Sequence, residues 1–246
     1  MTTSGIGNDE IQQESSWRYP LVIFVITLIL SAVFLYYYVG PSLDELGGNE
    51  PTPTISEERV KLAVGDLTIS IPANYTIYPR DRRDGSRESV YLYALWPTFS
   101  GYSAARRNDF VEDDPQARRI DIIISERIAQ FGEQDRIEKL FLPRTKKRSA
   151  ERVTNGLTRY EFRDRLSDVP TNGYAENELF IGIDQNDEAI AILCELEAAA
   201  PTNPHCWREY ELSDQVSLIY KFKKPYLQEW RAIDRQVQTF LAAIKR

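Results

Sequence analysis

Residues 175–223 read AENELFIGIDQNDEAIAILCELEAAAPTNPHCWREYELSDQVSLIYKFK. Two apolar, β-prone runs, Ala175–Ile183 and Ala189–Glu197, flank the polar turn Asp184-Gln185-Asn186-Asp187. Cys206–Leu212 and Gln215–Lys223 repeat the arrangement around Ser213-Asp214. Successive hairpins predict antiparallel strands, because a short turn can join only neighbours that run in opposite directions. The pattern extends upstream. Glu151–Val153 and Leu157–Arg165 flank Asn155-Gly156, a hairpin signal because type I′ turns need positive φ at both central positions. Arg59–Val64 and Asp66–Ile71 alternate around Gly65, and Ser89–Trp96 and Arg119–Arg127 are further strands. A meander of antiparallel strands fits this order.

The chain closes on a different period. Leu227, Trp230, Ile233, Val237, Phe240, Leu241 and Ile244 recur at three- and four-residue spacing, which predicts an amphipathic helix. Gln228, Arg231, Arg235 and Gln238 form its polar face, and Pro225 suits its first turn. Its apolar stripe is expected to cover the sheet; a membrane surface or a partner helix is the alternative. A second short helix is expected near 134–142. The domain therefore reads as α+β: a mostly antiparallel sheet with a C-terminal amphipathic helix.

Ahead of it, Leu21–Val39 reads LVIFVITLILSAVFLYYYV, nineteen residues without a charge. At 1.5 Å per residue this spans about 28 Å, near the hydrocarbon thickness of a bilayer. Trp17 and Tyr19 flank one end and Tyr36, Tyr37 and Tyr38 the other, as interfacial aromatics do. The run exceeds the apolar core of a signal peptide, and Gly40-Pro41-Ser42-Leu43 offers no A-x-A-like cleavage site. A buried core helix is the remaining alternative. Arg18 precedes the run and the next basic residue is Arg59, so the positive-inside rule predicts a cytoplasmic N-terminus. The expected organisation is a cytoplasmic tail at 1–18, a transmembrane helix at 19–40, an acidic flexible linker at 41–58 and a periplasmic domain at 59–246.

Charge supports that division. The chain carries a net −7, but the tail and the linker hold all of the excess, leaving 29 acids and 29 bases in 59–246. An acidic chain with a neutral domain argues against nucleic-acid binding, and any electrostatic function must come from local patches. One His and two Cys exclude two-histidine zinc motifs. His205, Cys206 and Cys194 with Glu195 or Glu197 make a poor zinc set, and His205 as a catalytic base lacks a G-x-S-x-G partner. Cys194 and Cys206 are expected instead to form a disulfide across paired strands in an oxidising compartment, with two buried thiols as the alternative. No cofactor and no metal is expected.

Thr98–Ala117 is a long connection between two strong strands, and such loops tend to be functional or disordered. Its Phe99, Tyr102, Arg106, Arg107 and Phe110 are of the types that anchor interfaces, so this loop is the expected partner-binding surface. The same loop carries Asp109, Glu112, Asp113 and Asp114, read as a solvated acid cluster rather than a cation site, since its spacing fits no EF-hand. Arg80, Arg82, Arg83 and Arg87, and Arg144, Lys146, Lys147 and Arg148, are two basic clusters suited to anionic lipid or an acidic partner, or simply solvated. Asn74-Tyr75-Thr76 matches a glycan acceptor.

The motif YALWPTFSG at 93–101 and the spacing of Trp230, Ile233 and Val237 resemble uncharacterised membrane-anchored proteobacterial proteins. The resemblance implies a bacterial inner-membrane setting and no activity. The expected function is a non-catalytic interaction module, tethered through Leu21–Val39 and binding a protein partner on the periplasmic side, either as an envelope-complex subunit or as an immunity-type binder. The alternative is an envelope-polymer hydrolase using carboxylates of the 98–117 loop as acid and base.

Overall fold

The structure is a computed structural model. It describes residues 17–39, 45, 47–110, 114, 116–128, 131–146, 150–163, 174, 176–197 and 203–245. The chain forms two compact units, 1–47 and 48–246.

In the first unit, Arg18–Val39 is a helix of 22 residues, apolar on every side and long enough to cross a membrane. The Thr27 hydroxyl donates to the Ile23 carbonyl at 2.9 Å, so this polar group is satisfied within the helix.

The second unit holds two sheets. Strands β1 (Arg59–Val64) and β2 (Leu67–Pro72) form a hairpin, and β3 (Gly85–Ser86) adds to β1 in parallel. The larger sheet is antiparallel throughout. Its strands are β4 (Ser89–Leu95), β5 (Arg119–Glu126), β6 (Glu151–Arg152), β7 (Thr158–Glu161), β8 (Asn177–Ile183), β9 (Ala189–Glu195), β10 (His205–Glu211) and β11 (Val216–Lys223). The order is β4-β5-β11-β10-β9-β8-β7-β6. The α+β reading therefore holds, but the sheet is not one meander. Strands β6 to β11 meander, and the hairpin β4–β5 joins at the free edge of β11. The β1–β2 hairpin leaves to its own sheet. Between β5 and β6 the chain crosses to the far edge through a helical turn, Glu133–Asp135, that continues as the π-helical segment Arg136–Phe141.

Period-2 alternation gives the large sheet an inner and an outer face. Val90, Leu92, Ile122, Leu218, Tyr220 and Phe222 point inward, where they meet the β1–β2 hairpin and the C-terminal helix Trp230–Ile244. That helix buries Trp230, Ile233, Val237 and Ile244, as its spacing foretold. It begins later than Pro225 suggested, after a tighter turn over Lys224–Glu229. Asn155 and Gly156 both take positive φ (64° and 72°), as a tight hairpin turn requires.

The compact unit starts at Gly48, earlier than the Arg59 boundary. Ala73 N–H donates to the Glu58 carbonyl and Asn74 N–H to that of Ser56, each at 2.8 Å. Thr52 N–H donates to Ile77 O at 3.1 Å, and Arg80 N–H to Gly48 O at 3.3 Å. Part of the stretch read as a linker is thus bonded to the domain.

Candidate functional site

The outer face of the large sheet carries two small apolar clusters. Over β7–β10, the segment Glu133–Phe141 packs Ile137 and Phe141 on Leu179 and Leu193. Over β4, the loop that follows it packs Tyr102 and Phe110 on Tyr93 and Leu95. Beside this second cluster the sheet is left open as a cleft of about 470 Å³.

Strand register builds the cleft floor. Tyr93 on β4, Asp121 on β5 and Lys221 on β11 are direct cross-strand neighbours, and Tyr91 stands opposite Ile123. Tyr78 closes one wall, edge-on to Tyr91 with ring centroids 5.2 Å apart. The Arg80 guanidinium lies 4.9 Å from the Tyr78 centroid and 5.8 Å from that of Tyr91. Pro51, Thr52 and Pro53 from the docked segment and Arg107 from the loop also line it.

The charges on this surface divide sharply. Arg119 Nε donates to Asp121 Oδ1 at 2.6 Å and Arg119 Nη1 to the Phe110 carbonyl at 3.1 Å, so Arg119 pins the end of the loop. Its guanidinium also lies 5.6 Å from the Tyr93 ring. Arg107 and Lys221 are exposed and make no ion pair among the described residues. Tyr93 is 5% exposed, and its hydroxyl has no hydrogen-bond partner among the described residues. Burial pushes its phenol up to about 12, against the pull of Arg82 and Arg119, so it is a neutral donor at physiological pH.

The residues expected to bind a partner fall into two groups. Phe99 (5% exposed) is buried and does not line the cleft, whereas Tyr102 and Phe110, though largely buried, form part of the cleft lining beside Tyr93. Phe99 packs edge-on to Trp96 and against Phe240, and Tyr75 Oη donates to its carbonyl at 3.0 Å. Burial of these rings is what orders the loop, because a long connection has no ladder to hold it. Arg106 and Arg107 are exposed; Arg106 pairs with Asp109 at 2.8 Å, and Arg107 reaches the cleft. The sequence reading missed Tyr78, Tyr91, Tyr93 and Lys221. The alternation of Tyr91 and Tyr93 in VYLYAL was the available signal, but their neighbours follow only from the strand register.

Other expected sites resolve structurally. Cys194 and Cys206 are directly paired across β9 and β10 and form the disulfide, with Cα atoms 4.0 Å apart. His205 therefore has no thiolate beside it; it contacts Lys223 Nζ at 2.9 Å and Glu195 at 3.4 Å. Asp109 is held by Arg106, and Asp114 accepts the Gln116 N–H at 2.8 Å. Glu112 and Asp113, like Lys147 and Arg148 of the second basic cluster, lie outside the described residues. Among the described residues no group of three or more potential metal ligands assembles. The first basic cluster works within the fold: Arg87 donates to the Arg80 and Arg83 carbonyls and sits 3.5 Å from the fully buried Asp81. Asn74 is 9% exposed and donates to the Tyr102 carbonyl, so the glycan-acceptor motif is shielded.

A solved structure with a similar fold is an immunity protein of the Stenotrophomonas maltophilia type IV secretion system. The match covers 78% of this chain and 94% of that one at 18% identity, with a TM-score of 0.54. No family model matches the chain, and no curated protein matches it.

Proposed function

We propose that this chain is a membrane-tethered, non-catalytic binder of the immunity type, held at a bacterial inner membrane by Arg18–Val39 with its domain in the periplasm. The observation that carries the reading is the open cleft on the outer sheet face. It offers aromatic walls and exposed cations, and its carboxylate, Asp121, is held by Arg119. An acid–base hydrolase needs two carboxylates facing one space, and the described part of the 98–117 loop supplies none in that arrangement. The likeness in fold to a secretion-system immunity protein supports the same reading. So does the apolar helix: tethering concentrates a neutraliser where an incoming toxin would act. The N-in orientation rests on Arg18, the inner-membrane setting on the resemblance through residues 93–101.

A competition experiment tests this. A strain lacking the chain, grown in contact with its wild-type parent, is expected to lose viability, with rescue by the full-length chain. Equal survival of the deletion strain would remove the immunity role. A reporter active only in the periplasm, fused after Arg246, is expected to be active; an inactive fusion would reverse the topology.

A further inference from the structure

Resting on that binder reading, we infer that the tyrosine cleft receives a carboxylate-bearing segment of the protein partner, with Arg107 and Lys221 as its charge contacts. Two observations converge. Among the described residues the cleft is lined by Arg107, Arg119 and Lys221 and by one acid, Asp121, in a domain whose formal charges from residue 59 onward balance. Asp121 is taken up by Arg119 at 2.6 Å, while Arg107 and Lys221 stand exposed on different elements, the loop and β11. Cations lining a concave, partly apolar surface attract an anion more strongly than the same charges on a convex one.

The walls suit a peptide rather than a small ion. Tyr78 and Tyr91 present large, stiff surfaces with little conformational entropy to lose on contact. Free phosphate would use the charges and leave the tyrosine walls idle. An acidic side chain on a folded or extended segment uses both.

Full-length protein, purified in detergent with its copurifying partner, is treated with a water-soluble carbodiimide. This reagent joins an ammonium to a carboxylate only in direct contact. Lys221 is expected to be recovered bonded to an Asp or Glu peptide of a different polypeptide. The variant Arg107→Glu with Lys221→Glu is expected to lower copurification about tenfold, while Lys139→Glu, exposed and off the cleft, leaves it unchanged. Both changed positions are exposed, and an unchanged melting temperature shows that the variant is folded. Lys221 joined to Asp44, Glu45 or Glu50 of its own chain, or to a second copy in an isotope-mixed sample, would overturn the proposal. Wild-type partner retention by the charge-reversed variant would overturn it too, and leave the binder reading standing. Absence of any stoichiometric partner with the wild-type chain would overturn both.

Discussion

The Glu133 carboxylate receives the Arg208 guanidinium in the gap where β9 and β10 part. Pairing between these strands stops at Arg208 opposite Ile192. There Glu133 Oε1 accepts the Ala191 N–H at 3.1 Å, and Glu133 Oε2 accepts Arg208 Nη2 at 2.8 Å. Arg208 Nη1 reaches Asp234 on the C-terminal helix at 2.7 Å, and the Tyr220 hydroxyl donates to the same oxygen at 2.9 Å. Arg208, Glu133 and Asp234 are each 5% exposed or less. One guanidinium thus ties the helical crossing, the sheet and the C-terminal helix together.

Truncating that guanidinium strands two buried carboxylates. Arg208→Ala is expected to destabilise the domain by about 3–5 kcal/mol, read from urea unfolding. The triple change Arg208→Met, Glu133→Gln and Asp234→Asn removes the charges together and is expected to cost less than Arg208→Ala alone. A triple variant as unstable as the single one would show that the network contributes through geometry rather than charge.

The disulfide closes the β9–β10 connection at directly opposed positions. By loop-closure entropy, replacing both cysteines by alanine is expected to cost about 3 kcal/mol. A lowered urea midpoint, matched by wild-type protein in reductant, checks this. An unchanged midpoint under reductant would mean that the strand ladder alone fixes this hairpin.

Tyr93 makes stability fall at alkaline pH. Between pH 10 and about 12 an unfolded tyrosine has lost the proton that folded Tyr93 still holds. The folded state therefore binds more protons, and stability falls as pH rises through that window. Burial also raises Tyr210 and Tyr220, so they contribute in the same direction. Tyr93→Phe is expected to remove its share of the alkaline loss. At pH 7 it should leave stability unchanged or raise it, by up to about 1–3 kcal/mol, because the buried hydroxyl has no hydrogen bond to lose among the described residues. Unfolding curves at pH 7, 10 and 11.5 measure both effects.

Gly182 of β8 carries the Trp230 indole. A Cβ there would lie 2.9 Å from both Trp230 Cζ2 and Leu157 Cδ2. Trp230 is 1% exposed, and its Nε1–H donates to the Asn155 carbonyl at 3.1 Å, so the ring cannot move away cheaply. Gly182→Ala is expected to destabilise by about 1–3 kcal/mol through overpacking. Thermal unfolding of the variant tests it.

Much of this architecture was legible because local patterns carried it. Asn155-Gly156, Gly65 and the polar turn at 184–187 mark hairpins through their own backbone demands. The stripe from Trp230 to Ile244 marks a covering helix by its period. Asp234 was not legible, since an acid beside Ile233 looks like part of a solvated face until Arg208 is placed beneath it. The position of β11 between β10 and β5 was also hidden, because non-local pairing depends on the fit of whole faces. That pairing decides the cleft: Tyr93, Asp121 and Lys221 lie on three strands far apart in sequence. The 98–110 loop was found by its length and composition, but composition could not tell inward aromatics from outward ones. Phe99, Tyr102 and Phe110 hold the loop down, while Arg106, paired with Asp109, and Arg107, which reaches the cleft, stay at its surface.

The boundary of the folded unit gives the last test. Removing residues 1–47 takes away the apolar helix and leaves the hydrogen bonds of Gly48, Thr52, Ser56 and Glu58 in place. Arg82 also donates to the Thr52 carbonyl and, from Nε, to Thr76 Oγ1 at 3.1 Å. Starting the chain at Arg59 deletes the acceptors for the Ala73 and Asn74 N–H groups, and Asn74 is buried. Each buried donor left without a partner costs about 1–3 kcal/mol. The chain 48–246 is therefore expected to be water-soluble and to unfold at the same urea concentration as the full-length protein in detergent. The chain 59–246 is expected to unfold at a clearly lower one. Equal midpoints for the two truncations would mean that residues 48–58 add nothing to the fold, and that Pro51 and Pro53 are not fixed in the cleft lining.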